Sequence, residues 1–137
     1  MTQIAPGLKG EVTLRVEPEH TAKHLGSGGV LVLATPQMIL LMEMASVHAV
    51  DHLLPAGQRT VGIGLDVRHL AATPVGMTVV AKSELVEVHG RRLHFRVDVW
   101  DEQEKVGEGT HSRAIIDLER FGQKVQEKSA RAQAQSR

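Results

Sequence analysis

The chain has 137 residues, with 16 Lys and Arg against 16 Asp and Glu, no Cys, no Tyr, one Trp and two Phe. That length suits one domain, and 42% hydrophobic with 23% charged residues describes a globular rather than a disordered chain. Zero net charge supplies no field for nucleic acid or anionic lipid, and zero Cys excludes disulfide frameworks, thiolate zinc sites and cysteine nucleophiles.

The opening segment, Met1 to Gly7, lacks the charged-then-apolar pattern of a secretory signal. No apolar run reaches the roughly 18 residues of a membrane span, so the expected location is cytoplasmic. Lys9 to Val16 alternates, with Val12, Leu14 and Val16 on one face, and is predicted as a strand. Glu17 to Gly29 is polar and glycine-bearing and is predicted as a loop.

Thr35-Pro36 is a helix start, with Thr35 as the expected N-cap, a contribution of about 1 kcal/mol, and Pro36 in the first helical position. The run Met38 to Ala45 is apolar nearly all round, so this helix is expected to be buried on most sides. It should end near Leu54, because Pro55 cannot continue it and Gly57 follows.

Beyond Gly57 the period becomes two. Val61, Ile63, Leu65 and Val67 alternate, and Thr73 to Gly76 is a turn. Thr78 to His89, Arg92 to Trp100 and Val106 to Leu118 are predicted strands joined by short hairpins. From Glu119 the chain turns polar and is expected to fray. Residues 1–121 are therefore read as one domain and 122–137 as a polar tail.

Short connections force antiparallel pairing. One all-round apolar helix with one twisted sheet predicts an α+β hotdog fold, an antiparallel five-stranded sheet wrapped around a long central helix. A single thin sheet cannot cover every side of that helix. A second copy is the natural cover, which predicts a homodimer, with a tetramer left open.

Several residues stand out chemically. Glu43 lies mid-helix among Met42, Met44, Ile39 and Leu40, where a carboxylate is at a wet cleft, desolvated, or structurally paired. Thr35 lies eight residues before it, about two helical turns, so both can point to one side. His69, at a strand end, is either structural or a general acid or base near neutral pH. Arg113 is either a strand-edge residue or the counter-ion of a buried carboxylate. The pairs His20/His24 and His48/His52 have helical ligand spacing, but neither first His is followed by Glu, and no metal and no cofactor are expected.

Leu41-Met42-Glu43, His69 to Pro74, Gly90 to Leu93 and Gly109 to Ala114 resemble the fluoroacetyl-CoA thioesterase family of the hotdog-fold thioesterase superfamily. The resemblance runs from about Ala34 to Phe121, and the mutual spacing of the motifs matches as well. It implies a homodimer and a catalytic trio of Thr35, Glu43 and His69. It also implies that Gly62 presents a backbone N–H to the thioester carbonyl and that Arg113 lies at the active site. The family's specialised member gates a fluorinated acyl group with phenylalanines between the first strand and the helix. Here Gly26 to Ala34 contains no Phe.

The expected function is hydrolysis of a small or medium acyl-CoA to the free acid and CoA. Two alternatives stand beside it: a non-catalytic hotdog module that binds a CoA ester or another small ligand, and a hotdog dehydratase, for which no Asp/His dyad is evident. Convergence of Thr35, Glu43 and His69 on one cleft separates enzyme from binder.

Overall fold

The computed structural model describes residues 3–135. Strand β1 is Lys9–Arg15, and the long helix α2, Thr35–Val50, follows the short helix α1, Ala22–Leu25. Then come β2 (Gln58–His69), β3 (Thr78–His89), β4 (Arg92–Trp100), β5 (Lys105–Asp117) and helix α3 (Leu118–Gln135). All five strands join one antiparallel sheet in the order β1-β3-β4-β5-β2. The sheet curls around α2, which is the hotdog arrangement.

The core lies between the concave face of the sheet and α2. Met38, Leu41, Met42, Ala45, Ala49 and Val50 of the helix meet Val79, Ala81, Leu85, Leu93, Phe95, Val97, Val99 and Val106 of the sheet. The strand residues recur at every second position, as a half-buried sheet requires. Phe95 is the buried aromatic, whereas Trp100 and Phe121 stay exposed. Inside this layer two hydroxyls meet: Ser46 Oγ lies 2.8 Å from Ser83 Oγ and also donates to the Met42 carbonyl at 2.9 Å.

Small residues set how closely helix and sheet approach. A Cβ on Gly10 would run into the Ala45 carbonyl oxygen and lie 2.6 Å from the Ala49 nitrogen. Backbone therefore packs on backbone where β1 crosses α2, which Gly10, Ala45 and Ala49 together permit.

Four local expectations are corrected. The segment 17–29 is not plain loop: a 3₁₀ turn, Pro18–His20, and α1 occupy it. Thr21, between them, accepts from the His24 N–H and so caps α1. Thr35 is not the cap of α2. Ala34 holds that position without a side-chain bond, Thr35 is already helical, and its hydroxyl is engaged elsewhere. Helical structure does run to Leu53, through the 3₁₀ turn Asp51–Leu53, and stops before Pro55.

The alternation of β2 also changes phase. Ile63 is an extra residue opposite β5, so the pairs run Gly62 with Arg113, then Gly64 with Ser112. This bulge puts Thr60 and Gly62 on the same face as Leu65, Val67 and His69. Finally, the polar end does not fray at Glu119. Leu, Glu, Lys, Arg, Gln and Ala are strong helix formers, and they build α3 through Gln135, with no residue of it buried.

Gly10→Ala should destabilise the fold by about 1–3 kcal/mol, since its methyl meets helix backbone that cannot rotate away. Urea unfolding measures it, and an unchanged midpoint would show that the contact is looser than described.

Candidate active site

The five residues singled out in the sequence fall into two clusters. At the start of α2, the Thr35 hydroxyl lies 2.7 Å from His69 Nδ1 at the end of β2. The other ring nitrogen, His69 Nε2, is buried without a hydrogen-bond partner. Burial pushes the imidazole below its ordinary value, and a backbone interaction with Ala71 opposes that shift. His69 is therefore neutral at pH 7 and fixed at one nitrogen by Thr35; in the tautomer that donates from Nδ1 to the Thr35 hydroxyl, its second nitrogen Nε2 is the acceptor.

Two turns along α2, Glu43 faces β2 and β5. Its carboxylate Oε2 lies 3.8 Å from Arg113 Nη1, and the side chain is 37% exposed. Glu43 thus sits at a wet cleft and is also paired with an arginine, two of the three settings open to it. Leu40, Met44 and Val47 flank it along an open groove. Gly62 lies beneath: a Cβ there would stand 3.0 Å from Glu43 Oε2 and 3.3 Å from His111. A side chain at Gly62 would occupy the space in front of the carboxylate.

Arg113 is 6% exposed and held by three hydrogen bonds. Its Nε donates to Thr60 Oγ1 at 2.8 Å and its Nη2 to the Thr60 carbonyl at 3.0 Å. Thr60 in turn donates from its hydroxyl to Asp51 Oδ1 at 2.5 Å and from its N–H to Oδ2 at 3.1 Å. Burial lowers the basicity of Arg113, while the charges of Asp51 and Glu43 oppose that. The guanidinium is a fixed cation facing Glu43, not a strand-edge residue.

His111 completes the clamp. Its Nδ1 donates to the Gly64 carbonyl at 2.8 Å, which leaves Nε2 as the acceptor for Arg113 Nη1 at 3.1 Å. One tautomer satisfies both bonds, the neutral ring protonated on Nδ1. Burial lowers its basicity first. The Gly64 bond and Glu43 raise it, and Arg113 lowers it. Sequence reasoning did not single out His111, Thr60 or Asp51. His111 and Arg113 share a face two residues apart on β5, and that spacing was the available signal. Nothing local marks Asp51 or Thr60.

Within one chain the clusters stay apart. Thr35 and Glu43 are separated by eight residues of helix, about 12 Å of rise. Gly62 and His69 are separated by seven residues of strand, about 23 Å if straight. Both spans exceed a hydrogen bond plus one water. The structure joins Thr35 with His69, and Glu43 with Gly62 and Arg113, but not one group with the other. The pairs His20/His24 and His48/His52 gather no third metal-ligating group among the described residues.

The antiparallel sheet curled on a long helix is the hotdog fold, and comparison with known proteins makes the chain an acyl-CoA thioesterase, a thioester hydrolase. A family model described as fluoroacetyl-CoA-specific thioesterase, FlK, matches residues 16–119. The chain belongs to that family. The fluoroacetyl-CoA thioesterase of Streptantibioticus cattleyicolor is 46% identical over 98 residues, 72% of this chain and 70% of that protein. A solved structure of the fluoroacetyl-CoA thioesterase FlK shares 38% identity and a TM-score of 0.86, covering 93% of this chain and 98% of that one. A thioesterase superfamily member from Thermus thermophilus reaches a TM-score of 0.89 at 26% identity, covering 98% of this chain and 99% of that one.

Two depressed histidines make stability pH-dependent. Unfolded, His69 and His111 take up protons near pH 6.5, whereas folded they stay neutral to lower pH. The unfolded state then binds more protons, so stability falls as pH drops through about 6.5. Urea melts at pH 7.5 and 5.5 should show this loss, and it should shrink in His111→Gln. An equal loss in the variant would remove His111 from the account.

Proposed function

We propose that this thioesterase hydrolyses a small or medium acyl-CoA as a homodimer, with Thr35, Glu43 and His69 as its catalytic groups. The observation that carries the reading is the buried, unpartnered Nε2 of a neutral His69 held at Nδ1 by Thr35. Such a nitrogen is a proton acceptor awaiting a reactant. Glu43 supplies the attacking oxygen, either its own or that of a water it deprotonates. As a base, Glu43 takes one proton from water as the hydroxide adds to the thioester carbon; the C–S bond breaks, the proton passes through His69 to the leaving thiolate, and the hydroxide ends in the acid. As a nucleophile, Glu43 forms an acyl anhydride as the thiolate leaves; water then hydrolyses the anhydride to the free acid and Glu43, its proton passing through His69 to the thiolate. The Gly62 N–H and the positive end of α2 stabilise the oxyanion, a term of about 3 kcal/mol per donor. Arg113 orients Glu43. Its burial and its three hydrogen bonds favour that role over contact with CoA phosphates.

The homodimer follows from the separation of the clusters. The groove beside Glu43 leaves Leu40 46% and Met44 39% exposed, and the edge strand β2 leaves Ile63 50% and Leu65 45% exposed. A two-fold related copy covering this apolar surface makes each site composite. Glu43 and Arg113 of one protomer then face Thr35 and His69 of the other. The substrate is an aliphatic acyl group, in keeping with a segment before α2 that exposes Val30 and Leu31 and has no aromatic. The cytoplasmic location belongs to the same proposal, because a CoA ester is the substrate served.

Thiol release across a panel of acyl-CoAs tests the activity. Glu43→Ala and His69→Ala should each lower kcat by about 10²–10⁴ while the fold persists. Unchanged turnover in either variant would falsify the assignment. Mixing the two inactive variants tests the composite site. Mixed dimers would hold one intact site in two, so an equal mixture should recover about a quarter of wild-type activity. Sites contained within single chains would recover none. A stable monomer that binds acyl-CoA without turnover would instead favour the binding module.

A further inference from the structure

On the outer face of the sheet, away from α2, lies a second group of chemically active side chains. Glu87, His89 and His94 each offer one ligand atom, and these atoms lie within 4.8 Å of one another. Glu87 and His94 are paired directly across β3 and β4, and His89 follows Glu87 two residues on, on the same face. Glu87 Oε2 and His89 Nε2 are already 2.9 Å apart. The two imidazoles meet edge to face, with centroids 5.5 Å apart.

A fold irregularity builds this grouping. Val86 is an extra residue between the pairs Leu85 with Phe95 and Glu87 with His94. Strict alternation from the buried Val79, Ala81, Ser83 and Leu85 would point Glu87 into the core. The bulge turns it outward, beside His94. Ser112 Oγ, on β5, lies 2.9 Å from His94 Nδ1. That contact fixes the ring and leaves Nε2 as its other ligand atom, the arrangement in which an outer hydrogen bond orients a metal-binding imidazole.

We propose that Glu87, His89 and His94 form a binding site for one divalent transition-metal ion at the turn end of the β3–β4 hairpin. Two imidazoles and a carboxylate suit zinc, cobalt, nickel or copper rather than the all-oxygen shells of magnesium and calcium. Ligand atoms on one tetrahedral ion lie about 3.3 Å apart. Glu87 and His89 are exposed and free to rotate by the difference, and solvent completes the shell. His94, held at Nδ1 by Ser112, and Glu87, hydrogen-bonded to His89, are set for it. The site lies on the face opposite the thioesterase residues and takes no part in hydrolysis.

Calorimetric titration of the full chain, stripped with chelator, with zinc chloride tests this. One zinc per chain should bind, and magnesium chloride should give no heat. His89→Ala and His94→Ala should each weaken zinc binding by about tenfold or more, with acyl-CoA hydrolysis retained as proof of folding. His24→Ala should leave zinc binding unchanged. Melting temperature should rise with zinc in the wild type and not in His89→Ala. Absence of zinc binding, or zinc binding in His89→Ala and His94→Ala as tight as in the wild type, would overturn the proposal.

Discussion

The burial of α2 is the constraint from which the rest follows. A helix apolar nearly all round must be covered on most sides, and one curled sheet covers only the side carrying Met38, Leu41, Met42, Ala45 and Ala49. The approach is close because Gly10 lets β1 lie on helix backbone at Ala45 and Ala49. The other side keeps Leu40 and Met44 partly in water, with Glu43 between them. An ionisable group is tolerated mid-helix because it falls on the side that the chain's own sheet does not seal. The half-exposed carboxylate and the exposed apolar surface beside it are thus consequences of one geometric shortfall.

The polar clamp behind Glu43 solves a different problem. A buried guanidinium is costly unless its donors are matched and its charge is answered. Here the Thr60 hydroxyl and carbonyl take two donors, His111 takes a third, and Asp51 and Glu43 answer the charge. The clamp joins three elements, with Asp51 after α2, Thr60 on β2, and His111 and Arg113 on β5. The placement of Glu43 therefore depends on the register of β2 against β5. A slip of one residue would turn Arg113 to the outer face.

Much of this was legible in the chain. The strand boundaries of β3 and β4 follow from alternation between turn residues, and the wrapped helix follows from Met38 to Ala45 having no polar side. Glu43 stood out because a carboxylate amid methionines and leucines is anomalous on local grounds. Thr35 was legible as a helix-start residue, but its hydroxyl serves His69, 34 positions away, and not the helix. That preference is decided by tertiary contact, which outweighs a capping bond when a neutral imidazole is brought within 2.7 Å. Asp51 and Thr60 carry no local mark, and the spacing of His111 and Arg113 on β5 gains its meaning only once β2 lies beside β5. Read for capping and stop signals alone, the polar C-terminal end hid α3. Helix propensity summed over Leu118 to Gln135 carries the signal.

The phase slips in the sheet account for what simple periodicity could not supply. Gly62 and His69 are seven residues apart, an odd number that places them on opposite faces of a regular strand. The extra residue at Ile63 restores them to the same face, so the strand that backs Glu43 with Gly62 also delivers His69 to Thr35. The extra residue at Val86 does the converse, carrying Glu87 out of the core and into line with His94. One device thus sorts side chains to the two faces of a single sheet: Thr60, Gly62 and His69 inward toward α2, and an imidazole–carboxylate group outward. Because a bulge is specified by pairing with a neighbouring strand rather than by composition, both groupings become visible only when the register is known.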